Sequence, residues 1–128
     1  MTVVAVAVAA VVAFIASSIY YIVVSPIELR ALGDATPDRG KPHPVKAAAE
    51  LVRTAVLASV IAWLAGRAGL LGLPEGIGLA VLLWLAFPAV LLSGSMLWDR
   101  VPFVTAAMHA GDWLLKLVLV AVVLGLFR

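Results

Sequence analysis

Four long apolar stretches dominate the chain, and they restrict it to folds that lie in a membrane. Residues 2–27 and 76–98 carry no charged side chain. About 20 apolar residues in a helix suffice to cross the roughly 30 Å hydrocarbon core of a bilayer. We predict transmembrane spans over residues 2–24, 45–66, 76–98 and 102–127. The predicted fold is all-α, an up–down bundle of four transmembrane helices in a single domain over residues 1–128.

The amino-acid composition limits the classes of function that are possible, as well as the class of fold. Apolar residues make up 65% of the 128 positions and charged residues only 12%, whereas soluble domains are about half apolar and about a quarter charged. The lack of cysteine excludes disulfides and thiolate chemistry. The sequence shows no basic cluster, phosphate-binding loop, nucleophile elbow or metal-ligand spacing. We therefore expect no nucleic-acid partner, no cofactor, no metal and no enzymatic activity.

The connections between the spans indicate an orientation. Residues 25–44 are rich in Pro, Gly and Asp, which predicts an irregular loop with room for one helical turn near residues 27–32. The first and third connections hold five basic residues and the other side two (Arg30, Arg39, Lys41, Lys46 and Arg100 against Arg67 and Arg128). By the positive-inside rule, both termini lie outside and loop 25–44 lies in the cytoplasm. The lack of Asn and Gln and the excess of Arg over Lys indicate a GC-rich bacterial source, and hence a bacterial plasma membrane.

The first apolar run has a rival interpretation as a cleaved signal peptide. It lacks a basic segment before the apolar residues, and it is longer than the apolar core of such a peptide. A transmembrane span is therefore favoured.

Small residues recur every four positions along two of the spans. Such residues let helices approach closely in a membrane, where apolar side chains alone give no reason to associate. The two stripes are Ala5, Ala9, Ala13 and Ser17 in the first span, and Thr54, Ala58, Ala62 and Gly66 in the second. One step of four back from Thr54 reaches Glu50, which predicts that this carboxylate points into the bundle.

Ionisable side chains inside the second and fourth spans form a candidate site. At 100° per residue, His109, Asp112 and Lys116 share one helix face with Thr105. With a rise of 1.5 Å per residue, Glu50 and Arg53 lie roughly 9–14 Å from the start of their span, and His109 and Asp112 roughly 10–15 Å from theirs. Both spans start on the same side. The predicted site is therefore one intramembrane cluster of Glu50, Arg53, His109, Asp112 and Lys116.

Three interpretations of this cluster remain open. It can be a structural network in which each acid has a cation, Asp112 with Lys116 and Glu50 with Lys46 or Arg53. It can line a solvated cavity that binds a small polar solute or relays protons, for which His109 has the suitable chemistry. It can also be a contact site for charged residues of another membrane protein.

Several segments resemble a family of small bacterial membrane proteins, the domain of unknown function 1761 family. The similar segments are Tyr21 with Ser25-Pro26, residues 83–88, residues 94–100 with Pro102, and residues 109–114. The resemblance implies a four-helix membrane fold and supplies no function. The family pattern more often has an aromatic or neutral residue where this chain has Asp112, so the Asp112–Lys116 pair is a departure from it.

The function favoured by these observations is association. Four helices with small-residue faces and no recognisable chemistry suit a non-catalytic accessory subunit, which pairs with itself or with other membrane proteins. A transporter complex such as a lipid importer, or a respiratory complex, is a plausible host. The alternative is a homo-oligomeric transporter, either of a small solute or coupled to protons, that uses the polar cluster.

Overall fold

The computed structural model describes residues 2–127 and is built from helices. They are α1 (Thr2–Leu32), a 3-10 turn (Gly33–Ala35), α2 (Pro44–Ala68), α3 (Leu73–Ala86), α4 (Pro88–Trp98) and α5 (Phe103–Leu126). Within the described residues, four stretches are long and apolar enough to cross a membrane: Val3–Ala35, Pro44–Ala68, Leu73–Trp98 and Phe103–Leu126. The predicted all-α bundle of four spanning helices is confirmed, with α3 and α4 sharing the third span.

Helix α1 is longer than the sequence predicted. Proline in a helix lacks an N–H and crowds the carbonyl one turn earlier, yet α1 passes through Pro26 and ends at Leu32. The predicted end at residue 24 and the predicted loop over residues 25–44 are therefore wrong in this part. The physical reason is tertiary, because Glu28 accepts a hydrogen bond from Thr105 of α5 at 2.7 Å. This contact holds the last turns of α1 against the bundle.

The third span is broken by its proline. Helix α3 begins at Leu73, three residues before the predicted start at 76, and ends at Ala86. Phe87 has φ −118° and ψ −76°, and α4 begins at Pro88. Because Pro88 has no N–H to donate to α3, the helix is interrupted at this point. Both segments pack against α5.

Helix α2 has well-formed ends. Pro44 occupies its first turn, and His43 Nδ1 accepts a hydrogen bond from the Val45 N–H at 3.1 Å. Gly69 has a positive φ of 72°, and the next residue, Leu70, returns its N–H to the Ala65 carbonyl at 2.9 Å. A proline start and a left-handed glycine end are the common limits of a helix.

Helix α5 lies in the middle of the bundle. It packs extensively against α1 and α3, also against α4, and over a smaller area against α2, which rests mainly on α1. Between α2 on one side and α3 and α4 on the other, an apolar groove of about 480 Å³ stays open along α5. The bundle is therefore closed on one side and open on the other.

The predicted small-residue stripes form the closely packed part of this bundle. Along α1, all four stripe residues are buried; along α2, burial extends from Thr54 to Ala62, whereas Gly66 is exposed. The core that they form with α3 and α5 consists of Ala5, Ala9, Ala13, Ala58, Ile61, Ala62, Ala80, Leu117, Val120, Ala121 and Leu124. Backbones approach closely here because the side chains between them are mostly methyl groups.

Candidate intramembrane polar site

The centre of the site is a buried ion pair on α5. Asp112 is 2% and Lys116 is 7% exposed, and Lys116 Nζ lies 3.0 Å from Asp112 Oδ2. The other carboxylate oxygen accepts a hydrogen bond from Ser17 of α1 at 2.5 Å. The pair follows from the spacing of four residues, which stacks the two side chains on one face of the helix. Both charges are therefore sequestered from lipid by α1.

A tyrosine connects this pair to His109. The Tyr21 hydroxyl lies 2.8 Å from His109 Nδ1 and 3.3 Å from Asp112 Oδ2. The hydroxyl has one proton, so it donates to one neighbour and can accept from the other. If Tyr21 donates to the Asp112 carboxylate, it accepts from His109, whose proton then lies on Nδ1. If Tyr21 instead donates to His109 Nδ1, the proton of the neutral imidazole lies on Nε2. Imidazole, hydroxyl and carboxylate thus form one hydrogen-bonded series across α1 and α5.

Helix α2 contributes a second ion pair at the edge of the site. Glu50 pairs with Arg53, and its other oxygen lies 4.0 Å from Lys116 Nζ. The side chains of Glu50 and Arg53 are 42% and 63% exposed. The prediction that Glu50 points inward is therefore correct only in part. Lys46, the other predicted partner of Glu50, instead donates to the carbonyl of Arg39 at 3.1 Å.

All five predicted residues line one cavity. Its volume is about 260 Å³, and its walls are Tyr21, Glu50, Arg53, His109, Asp112, Trp113 and Lys116. We call this space the polar cavity. The structure thus brings together residues from α2 and α5 that are far apart in the sequence. Their role in binding a ligand stays a prediction.

A second polar cluster, closer to the loop between α1 and α2, was not predicted as a unit. Glu28, only 1% exposed, accepts two hydrogen bonds from Arg39, at 2.6 and 2.9 Å, and one from Thr105. The hydrogen bonds to the Glu28 carboxylate raise the pKa of Arg39 above its ordinary value. The α1–α2 loop is thereby fastened over the end of the bundle.

The sequence did contain a signal for this cluster. The α1 stripe that passes through Ser17 continues at Tyr21, four residues on, and at Glu28, seven further on, so that all three share one helix face. Only Thr105, which lies on the predicted stripe of α5, was recognised. Glu28 was missed because the Pro, Gly and Asp content of residues 25–44 predicted a loop at this position.

Two further side chains donate to backbone carbonyls of α5. The Tyr20 hydroxyl donates to the Met108 carbonyl at 2.7 Å, and Trp84 Nε1 donates to the Ala110 carbonyl at 2.8 Å. A Cβ atom on Gly111 would lie 2.3 Å from the Tyr20 hydroxyl oxygen, so only glycine allows this approach. These bonds fasten α1 and α3 to α5 beside the site.

Metal-binding chemistry receives no support from the geometry. Within residues 2–127, no group of three or more His, Asp or Glu side chains is arranged to hold a metal ion. The carboxylates of the site are instead held by cations and hydroxyls.

Comparison with known proteins identifies the family. A family model described as "Protein of unknown function (DUF1761)" matches residues 4–125. The chain belongs to this family. No curated protein and no solved structure matches it. All of the residues that line the polar cavity of this DUF1761 protein lie inside the matched range. The four long apolar helices are typical of a membrane protein.

Proposed function

We propose that this DUF1761 protein is a non-catalytic membrane transporter that binds a small polar group, with proton coupling, in the polar cavity. The single observation that carries the proposal is the convergence of five ionisable side chains, two from the second span and three from the fourth, on one cavity. Ionisable groups inside membrane spans are costly, and they commonly mark solute or proton pathways. A network that only sets helix register would require the ion pairs but not the adjoining space.

The hydrogen-bonded series gives this proposal its proton-handling groups. Imidazole is the side chain that ordinarily titrates near neutral pH. His109 contacts Tyr21, and Tyr21 contacts the carboxylate of Asp112. A proton received by His109 can therefore pass through the hydroxyl to the Asp112–Lys116 pair, which reaches Glu50 on α2. This arrangement couples the charge state of the series to whatever occupies the cavity.

Transport in reconstituted vesicles tests the proposal. We expect vesicles with the wild-type protein, loaded with a pH-sensitive dye, to pass protons under an imposed membrane potential. Replacement of the central pair in the double variant Asp112→Asn with Lys116→Met should abolish this flux while expression is retained. Arg67→Gln removes a charge at the other end of α2 and should leave the flux unchanged. Equal flux in the double variant and the wild type would contradict the mechanism.

A second candidate function, the accessory subunit, is favoured by the open side of the bundle. Arg53 and Glu50 are both substantially exposed at a depth where a lone protein meets lipid. The adjoining groove also leaves apolar side chains of α2 and α4 without a neighbouring helix. A second copy, or a subunit of a larger assembly such as a lipid importer or a respiratory complex, would cover both features.

Gentle extraction from native membranes tests this candidate. We expect the wild-type protein to elute with a partner and Arg53→Leu to lose it, because the variant removes the charge that the partner would contact. Arg67→Leu serves as the matched control and should keep the partner. Elution of the wild type as a lone monomer under these conditions would count against the accessory role.

A further inference from the structure

The polar cavity and the apolar groove form one continuous surface. The groove is lined by Leu57, Val60, Ile61, Leu64, Leu83, Phe87, Pro88, Leu91, Leu92, Trp113 and Leu117. Trp113 also lines the polar cavity, and Leu57 and Trp113 both line the crevice that contains Glu50 and Arg53. A polar compartment of about 260 Å³ therefore leads directly into an apolar one of about 480 Å³. A polar compartment followed by an apolar one fits an amphiphile with a compact head and a hydrocarbon tail.

The hydrogen bonds within the cavity indicate the chemistry of that head. The Asp112 carboxylate is already occupied by Ser17, Tyr21 and Lys116. Among residues 2–127, by contrast, Arg53 donates a side-chain hydrogen bond only through Nη1, to Glu50. The cavity therefore has donors to spare on Arg53, whereas both oxygens of its buried carboxylate, Asp112, are engaged. A complementary head group supplies acceptors, such as carbonyl oxygens.

Charge and depth indicate that the head is neutral. The cavity contains two carboxylates and two permanent cations, which pair with each other (Glu50 with Arg53, Asp112 with Lys116). Arg53 lies nine residues after Pro44, roughly 14 Å along α2. Counted from the start of the span at Pro44, that distance is about half of a hydrocarbon core of about 30 Å. A phosphate head group would bring an unpaired charge far below the membrane surface, whereas an uncharged carbonyl head would not.

We propose that the polar cavity and the apolar groove together bind a neutral carbonyl-bearing amphiphile of the prenylated-quinone class, with the ring oxygens facing Arg53 and the tail lying between α2 and α4. The inference rests on the proposed function, because it uses the same cavity and names its ligand class. It concerns binding only.

The binding test uses the full-length protein in lipid nanodiscs, with quenching of tryptophan fluorescence as the readout. The probes are a decyl-substituted benzoquinone and the same ring without the tail. We expect the decyl compound to bind at least tenfold more tightly than the tail-free ring, because only the former occupies the groove. Equal affinities for the two probes would overturn the inference.

Matched variants separate the head site from the tail site. Arg53→Met removes the guanidinium that would donate hydrogen bonds to the head group, and Leu91→Trp fills the apolar groove. Each variant should weaken binding of the decyl compound at least tenfold. Arg67→Met on α2 and Leu97→Trp on α4 lie outside the site and should bind as the wild type does. The side chains of Arg53 and Leu91 are both exposed, so replacing them leaves the packed core intact. An unchanged melting temperature of each variant verifies this. Binding that survives both test variants would be partition into lipid and would refute the site.

The same samples distinguish the failure of this inference from the failure of the proposed function. Proton flux that depends on Asp112 and Lys116, without quinone binding, would retain the transporter and reject the ligand class. If the wild-type protein shows neither proton flux nor quinone binding, the proposed function is rejected together with the inference.

Discussion

The two ends of the bundle are held together by different kinds of contact. At the end where α1 meets the α1–α2 loop, helices are joined by ion pairs and side-chain hydrogen bonds, centred on Glu28 and Asp112. At the opposite end, small apolar side chains such as Ala5, Ala9 and Ala58 pack against Val120 and Leu124. We call these parts the polar half and the alanine half.

The difference shows how a membrane bundle separates two requirements. Alanine packing determines how closely helices approach, because no large side chain stands between the backbones. Directional bonds in the polar half determine the register of α1 against α5. A slip of one residue would break the hydrogen bonds between Ser17 and Asp112 and between Thr105 and Glu28. The polar half encloses the polar cavity, whereas the apolar groove borders the core of the alanine half at Ile61 and Leu117. Substitutions in the two halves should therefore destabilise the protein for different reasons.

The largest expected effect comes from removing a charge from the polar half. Lys116→Met leaves the buried Asp112 without its cation, and we expect a loss of about 3–5 kcal/mol in unfolding free energy. Unfolding by titration with a denaturing detergent measures this loss. The double variant Asp112→Asn with Lys116→Met should recover much of it. If the single variant is no less stable than the double one, the pair is not a buried ion pair in the membrane.

A smaller loss is expected at the loop end of the polar half. Glu28→Gln weakens hydrogen bonds from Arg39 and Thr105, so the unfolding free energy should fall by about 1.5–3 kcal/mol. Glu75→Gln, an exposed position at the start of α3, is the control and should change stability little. Faster proteolysis of the α1–α2 loop in the Glu28 variant would confirm that this residue fastens the loop. Equal stability and proteolysis of the two variants would contradict that role.

The smallest of the three effects tests the alanine half. Ala9 is fully buried, and Ala9→Leu should separate α1 from its neighbours at a cost of about 1–3 kcal/mol. Ala7→Leu places the same side chain on the exposed face of α1 and should cost little. Equal melting temperatures of the two variants would show that close packing at this end is not required. Proton flux should survive Ala9→Leu in the folded fraction, since the polar cavity lies in the other half.

Local patterns in the sequence predict most of the alanine half and the centre of the site. Ala5, Ala9 and Ala13 recur every four residues and are all buried. Asp112 and Lys116 are paired because four residues of helix bring them together, whatever surrounds them. These features depend on helical periodicity alone, so they can be derived without knowledge of the neighbouring helices.

The polar features at the edges of the site could not be derived in this way. Pro26 predicts the end of a helix, yet α1 continues because Glu28 finds Thr105 on another helix. Glu50 and Arg53 line the polar cavity, but their exposure depends on the distance between α2 and α4. Distances between helices depend on all the packed side chains together, which no local pattern contains.

The sequence by itself determined that this chain has four helices long and apolar enough to cross a membrane, and which faces of α1, α2 and α5 are small or polar, because hydropathy and helical periodicity are local properties. Only the tertiary structure decided that α1 passes its proline, that the loop is fastened to Glu28, and that a polar cavity opens into an apolar groove. Those outcomes depend on which helix faces meet and how closely, and that is settled by contacts between residues far apart in the chain.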